Sequence, residues 1–206
     1  MRGTADGAGF SRRGQGIGHH DGDHMMTTSA QSVYRQVMGA DFNLLAAELQ
    51  RFHSMAGRAL LTGRFSVQGP DSHAGRLVSA LFALPKTAAE TPFKFELDAN
   101  PRQETWRRHF PDRSMVSRMQ AAPGMLIERF GPIRFYFRLK TSEGQLSMLL
   151  QSVTVLGVPS PRFLMPKVSA HESGADGRLH FSVSAHLPVV GLLAEYRGYL
   201  ELGPGA

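Results

Sequence analysis

Ile133-Arg134-Phe135-Tyr136-Phe137-Arg138-Leu139-Lys140 alternates without a break between large apolar residues and polar or basic ones. A period of two puts Ile133, Phe135, Phe137 and Leu139 on one face of a strand and Arg134, Tyr136, Arg138 and Lys140 on the other. One face is therefore buried and the other wet. Ser142-Glu143-Gly144 turns the chain into a second long strand over 145–156. Connections this short force antiparallel neighbours.

The same period extends both ways from this hairpin. Upstream, Phe93, Phe95 and Leu97 alternate with Lys94, Glu96 and Asp98, and Asn100-Pro101 turns the chain. Trp106, Arg108 and Phe110 share the next face, then Met115, Ser117 and Met119, closed by Pro123-Gly124. Residues 125–130 form a strand bounded by Gly131-Pro132. Downstream, Pro159, Pro161 and Pro166 interrupt the pattern. Asp176-Gly177 is a hairpin signal joining strands over 168–172 and 179–187. There Leu179, Phe181, Val183, Ala185 and Leu187 face in while His180, Ser182, Ser184 and His186 face out, and a last strand covers 193–202.

Helices precede these strands. Ser32 caps a short helix ended by Gly39, and Asp41 caps a second whose stripe is Phe42, Leu45, Leu49 and Phe52. A strand through Leu61, Gly63, Phe65 and Val67 ends at Gly69-Pro70. Leu77, Val78, Leu81 and Phe82 share a face of a third helix, stopped by Pro85, that either caps the barrel or forms a lid. The expectation is an α+β fold: a curled antiparallel sheet or barrel-like meander of about nine strands, capped by two or three N-terminal helices.

The chain has 206 residues, 42% hydrophobic and 19% charged, enough for one packed domain. Residues 1–32 hold seven of the 22 glycines and almost nothing large and apolar. They read as a disordered tail before a single domain over 33–206, with Met25-Met26 offering a later start. Gly14, Gly16 and Gly18 lack the flanking strand and helix of a dinucleotide fingerprint. His19, His20, Asp21, Asp23 and His24 read as part of a solvated tail. Ser11-Arg12-Arg13-Gly14 is followed by no apolar run, and no window approaches a membrane span, so a cytoplasmic protein is expected. With no cysteine, disulfide frameworks, thiol nucleophiles and zinc ribbons are excluded.

No nucleophile elbow, phosphate loop or zinc-protease motif occurs, and neither a metal nor a cofactor is expected. His53 ends a helix, where a cation suits the dipole. Glu96 and Asp98 lie on a polar strand face and read as solvated. Glu128 is different, because its neighbours in phase are Leu126 and Phe130. A carboxylate on an apolar face needs a basic partner. Arg108, in phase with Trp106 and Phe110, is one candidate and Arg118 another. Trp106, Arg108, Arg118, Glu128, Phe135 and Phe137 are thus the candidate ligand-binding residues, either as a structural ion pair in a filled core or as a polar anchor beneath an apolar pocket.

Trp106-x-Arg108-x-Phe110, Glu128-Arg129-Phe130-Gly131-Pro132, Pro159-x-Pro161, Leu187-Pro188 with Gly191, and Tyr196-Arg197-Gly198-x-Leu200 together resemble the bacterial DUF4166 family, a domain of unknown function. Tyr34-Arg35 to Phe52-His53 is similar to that family's opening helices. The resemblance covers about residues 33–202. It implies an accessory or binding role, since the family occurs alone or joined to NAD(P)-binding domains and membrane proteins. The leading expectation is a non-catalytic module for an apolar or amphipathic, lipid-like molecule. One alternative is an enzyme or accessory domain working beside a separate NAD(P)-dependent reductase. Another is binding of an anionic surface. The net charge of +6 bears on the last: residues 102–140 carry eight arginines and a lysine against Glu104, Asp112 and Glu128, so the rest of the chain sums to zero. Basicity confined to a few strands, without interleaved exposed aromatics, argues against nucleic acid.

Overall fold

Two-residue turns dominate the topology. The computed structural model describes residues 31–203 apart from 71, 82–86, 112 and 189. The readings made of the tail, of Phe82 and of Pro85 therefore fall outside the described residues. The described residues form eleven strands: β1 Gly57–Gln68, β2 Ala88–Asn100, β3 Gln103–His109, β4 Ser114–Ala122, β5 Met125–Phe130, β6 Ile133–Ser142, β7 Gln145–Val155, β8 Val158–Pro159, β9 Lys167–Ala175, β10 Arg178–Leu187 and β11 Gly191–Glu201. Glu143-Gly144 and Asp176-Gly177 both have positive φ at the two central positions, the left-handed pair whose twist suits a hairpin.

All the strands are antiparallel, and the sheet closes on itself. The order runs β6-β5-β4-β3-β2-β1-β11-β10-β9-β7, and β6 pairs with β7 from Ile133↔Val155 to Ser142↔Gln145. Ten strands make an antiparallel barrel, while β8 hangs on the edge of β7. The expected run of nine strands is there. The early strand β1 completes the circle by pairing with both β2 and β11.

The helices close one end. α1 Val33–Met38 is capped by Ser32, whose Oγ accepts from the Arg35 N–H at 3.3 Å, and is ended by Gly39 at φ +57°. The expected continuous helix from Asp41 is broken. Gly39–Leu44 is a 3-10 helix, Leu45 is extended, and α2 covers Ala47–His53. The cause is a competing bond: the Ala46 N–H donates to the Gly144 carbonyl at 2.8 Å, tying the chain to the β6–β7 turn. Gln36 donates to the Pro101 carbonyl and Arg51 to those of Leu202 and Gly203, so α1 and α2 rest on the turns of this end. α3, His73–Leu81, lies against β11 near the other end. Of its expected apolar face, only Leu77 has a described side chain. Leu77 is 74% exposed, while the buried Ser79 donates its hydroxyl to the Leu193 carbonyl at 2.8 Å. Among the described residues no helix is long and apolar enough to cross a membrane.

Candidate ligand-binding cavity

Inward-facing aromatics do not fill the barrel. Beneath the α1–α2 cap lies a small space of about 80 Å³, walled by Phe52, Phe93, Phe95, Trp106, Arg108 and Glu172 among others. A larger cavity of about 270 Å³ adjoins it and leads to the opposite end, between Phe130, Ile133, Phe135, Val153, Leu164, Leu187 and Leu193. Glu128, Phe137, Val168, Val183 and Tyr196 line both. Pro166 and Ser160, from the connection between β8 and β9, form part of the rim.

At the junction the barrel carries its polar groups. Arg108 Nη1 donates to Ser117 Oγ at 3.0 Å, and its guanidinium carbon sits 5.0 Å from the centre of the Trp106 ring. Arg108 Nη2 lies 3.9 Å from Glu128 Oε1, an ion pair too long for a good hydrogen bond. The expected meeting of Glu128, Arg108 and Trp106 is therefore observed. Arg118 does not join them. The buried phase of β4 is Met115, Ser117 and Met119, which turns Arg118 out to solvent. Phe137 is buried and Phe135 half-buried, with ring centres 6.1 Å apart.

A second polar cluster lies under the cap. His53 Nε2 and Glu172 Oε2 are 2.7 Å apart and both side chains are buried, so His53 is far more than an exposed helix-end cation. The Tyr34 ring stacks on His53 at 3.7 Å. The Trp106 indole N–H donates to Glu104 Oε2 at 3.1 Å. Sequence reading passed over Glu104 and Glu172, although each stands in phase with buried neighbours, Trp106 for one and Ala170 for the other. That is the signal that exposed Glu128. Burial raises the Tyr34 phenol well above its usual range, reinforced by Glu172, Glu104 and Glu128. Burial likewise raises Tyr196, with Arg108 opposing and Glu128 and Glu172 adding to the rise. Both hydroxyls keep their protons at neutral pH.

Burial also raises the Glu104 carboxyl, against the pull of His53 and the Trp106 indole, with Glu172 pushing it further up. The direction has a stability consequence. A carboxyl whose folded pKa lies above its unfolded value stabilises most at acid pH, and that stability is lost as pH rises from about 4.5 through the folded value. Glu104→Gln keeps an acceptor for the indole and removes the charge. Its stability relative to the parent, read from urea midpoints, is expected to improve between pH 4 and pH 7. An equal difference at both pH values would refute this.

The segment 45–200 matches the family model described as a domain of unknown function, DUF4166. The chain belongs to the DUF4166 family. The match takes in α2 and the strands from β1 to all but the last residue of β11, and so includes His53, Arg108, Glu128 and Glu172, while Tyr34 lies upstream of it. No curated protein matches the sequence. The crystal structure of Rv2717c from M. tuberculosis is similar over 76% of this chain and 98% of that one, at 10% identity and a TM-score of 0.41. In this DUF4166 chain several of the residues behind the family resemblance face the interior. Trp106, Arg108, Phe110, Glu128 and Tyr196 line the inner space, and Phe130 and Leu187 line the outer cavity.

Proposed function

We propose that the barrel is a non-catalytic carrier of an amphipathic small molecule. The apolar part occupies the outer cavity and the polar end meets Arg108, Glu128 and Tyr196. The observation that supports this is the wall itself: an apolar cavity of about 270 Å³, open at the end away from α1 and α2, with a few convergent polar groups at its inner limit. Small-molecule sites commonly have this composition. At 3.9 Å the Arg108–Glu128 pair is longer than a hydrogen bond, which leaves polar atoms of both side chains for the polar end of a bound molecule.

Native mass spectrometry of protein purified from its own host tests the reading, with a co-purifying lipid-like mass expected. Two substitutions sharpen it. Val183 lines both spaces, so Val183→Trp is expected to fill the junction and weaken binding of the neutral fluorophore N-phenyl-1-naphthylamine at least about tenfold while circular dichroism stays unchanged. Glu128→Ala removes one polar anchor and is expected to lower retention of the co-purifying molecule about tenfold. Unaltered retention in Glu128→Ala, with the fold intact, would overturn the anchoring role.

A further inference from the structure

Several basic side chains on the outer surface are matched by acids. Arg58, Arg64, His109 and Arg178 each face a carboxylate, from Asp98, Glu90, Glu96 and Glu201. On β4, β5 and β6 the pattern is the opposite. Register places Arg118 opposite Arg129, and Arg129 opposite Arg134, in one row across three strands. Arg138 and Lys140 extend the exposed basic face along β6. These strands contain one acidic residue, Glu128, and it points inward. Like charges directly opposite one another destabilise a sheet, so folding alone gives no reason for this row.

A second anomaly lies beside it. The Leu156 N–H donates to the Pro132 carbonyl at 2.9 Å, which joins the Leu156-Gly157 turn to the turn between Arg129 and Arg134. Leu156 has φ +53°, a conformation that disfavours a bulky side chain, yet that side chain is 81% exposed. Asparagine or glycine would fit this turn without strain. Val158 of β8 and Phe163 of the connection that follows are 66% and 73% exposed, and residues 156–167 carry Arg162 and Lys167 with no acid. This is the connection whose Ser160, Leu164 and Pro166 form the rim of the cavity.

We infer that the barrel docks mouth-first on an anionic lipid bilayer. Leu156, Val158 and Phe163 enter the interfacial region, and the arginine row contacts lipid phosphates. Arg129 and Arg134 each lie two residues from the nearer residue of the β5–β6 turn, about 7 Å along the strand, within the roughly 5–10 Å over which interfacial segments sink. Charge complementarity and exposed apolar tips together select a bilayer. Nucleic acid would match the arginines but gains nothing from Leu156 and Val158, which offer no stacking face. Docking does not depend on the carrier reading, because an empty barrel presents the same surface.

Vesicle co-sedimentation of the full chain tests the inference, using phosphatidylcholine alone or mixed with phosphatidylglycerol. Binding is expected only to the anionic vesicles and is expected to weaken with added salt. Arg129→Glu with Arg134→Glu should reduce it by about fivefold or more for each charge removed. Leu156→Asn is the decisive variant. It relieves a strained turn, so its thermal midpoint should equal or exceed the parent's, while vesicle affinity falls, about tenfold when combined with Phe163→Ser. The inference is overturned if anionic vesicles do not sediment the protein at low salt. It is equally overturned if the Leu156 and Phe163 changes leave vesicle binding untouched, or if duplex DNA is bound as tightly and with the same indifference to those tips.

Discussion

Alanine at Gly198 is expected to lower stability by about 3 kcal/mol or more, a loss seldom reached by adding one methyl group. Gly198 sits on β11 opposite Phe65 of β1 on one side and Phe181 of β10 on the other. A methyl there would run into the Arg64 carbonyl, with the Phe65 Cα at 2.9 Å and the Phe181 ring at 3.0 Å. The first two obstacles are backbone and cannot rotate away. Gly63, two residues before Phe65 on β1, has the reciprocal problem, since its methyl would meet the Tyr199 carbonyl. The two glycines therefore let β1 and β11 approach closely along the seam that completes the barrel. Neither has a positive φ, so what they supply is space and not an unusual backbone angle. Gly124→Ala is the matched control. Gly124 has φ +67° with nothing within 4 Å of an added methyl, and should lose only about 1 kcal/mol from conformation. Urea midpoints on the two variants decide the matter. A Gly198→Ala loss no larger than that of Gly124→Ala would show that the seam can relax.

Gly198 also shows how far the sequence could be read. Tyr196-Arg197-Gly198-x-Leu200 stood out as a motif, yet nothing in the linear pattern says that a neighbouring backbone passes where a Cβ would be. What was legible is what depends on local period. The alternation in β6 and β10, the Asp176-Gly177 and Glu143-Gly144 turns and the Ser32 cap each follow from residues within a few positions of one another. Closure was harder to see because β1 is separated from β2 by α3, and its pairing with β11 spans most of the chain. The break between the 3-10 helix and α2 escaped for the same reason. An apolar stripe through Phe42, Leu45, Leu49 and Phe52 fits one helix, and only the Gly144 carbonyl, about a hundred residues on, redirects the Ala46 N–H.

The site divides along a similar line. Glu128 and Arg108 were found because an ionisable residue on an apolar strand face violates the pattern, and burial makes that violation expensive unless a partner exists. Choosing Arg108 over Arg118 needed only the phase of β4, where Met115 and Met119 alternate with Arg118. The cavity itself was not legible. Whether Phe93, Phe95, Phe135 and Phe137 meet across the barrel or leave room between them depends on barrel radius, and that is set by strand number and tilt. The outward arginine row needed register as well, since its three members come from three strands.

Removing the Glu172 carboxylate is expected to be the most damaging change of charge in the molecule. Glu172→Ala strands the fully buried His53 ring without its 2.7 Å partner, and His53→Ala strands a carboxylate only 8% exposed. Breaking one side of a buried pair typically costs about 3–5 kcal/mol, because the survivor keeps its desolvation penalty. The pair also joins α2 to β9, and Tyr34 of α1 stacks on the same imidazole, so the loss spreads to the cap. Hydrogen exchange in Glu172→Ala should therefore lose protection in 33–53 before it does so in the strands. Glu172→Gln, which retains a side chain able to hydrogen-bond His53, should lose less. The double variant His53→Phe with Glu172→Leu puts apolar groups at both ends and should recover much of the stability. These outcomes separate two roles. If the double variant is stable and still closes the barrel, the pair contributes registry of the cap more than net free energy. If Glu172→Ala costs no more than Arg58→Ala, whose side chain is 89% exposed in its own pair, the clasp between helices and barrel lies elsewhere.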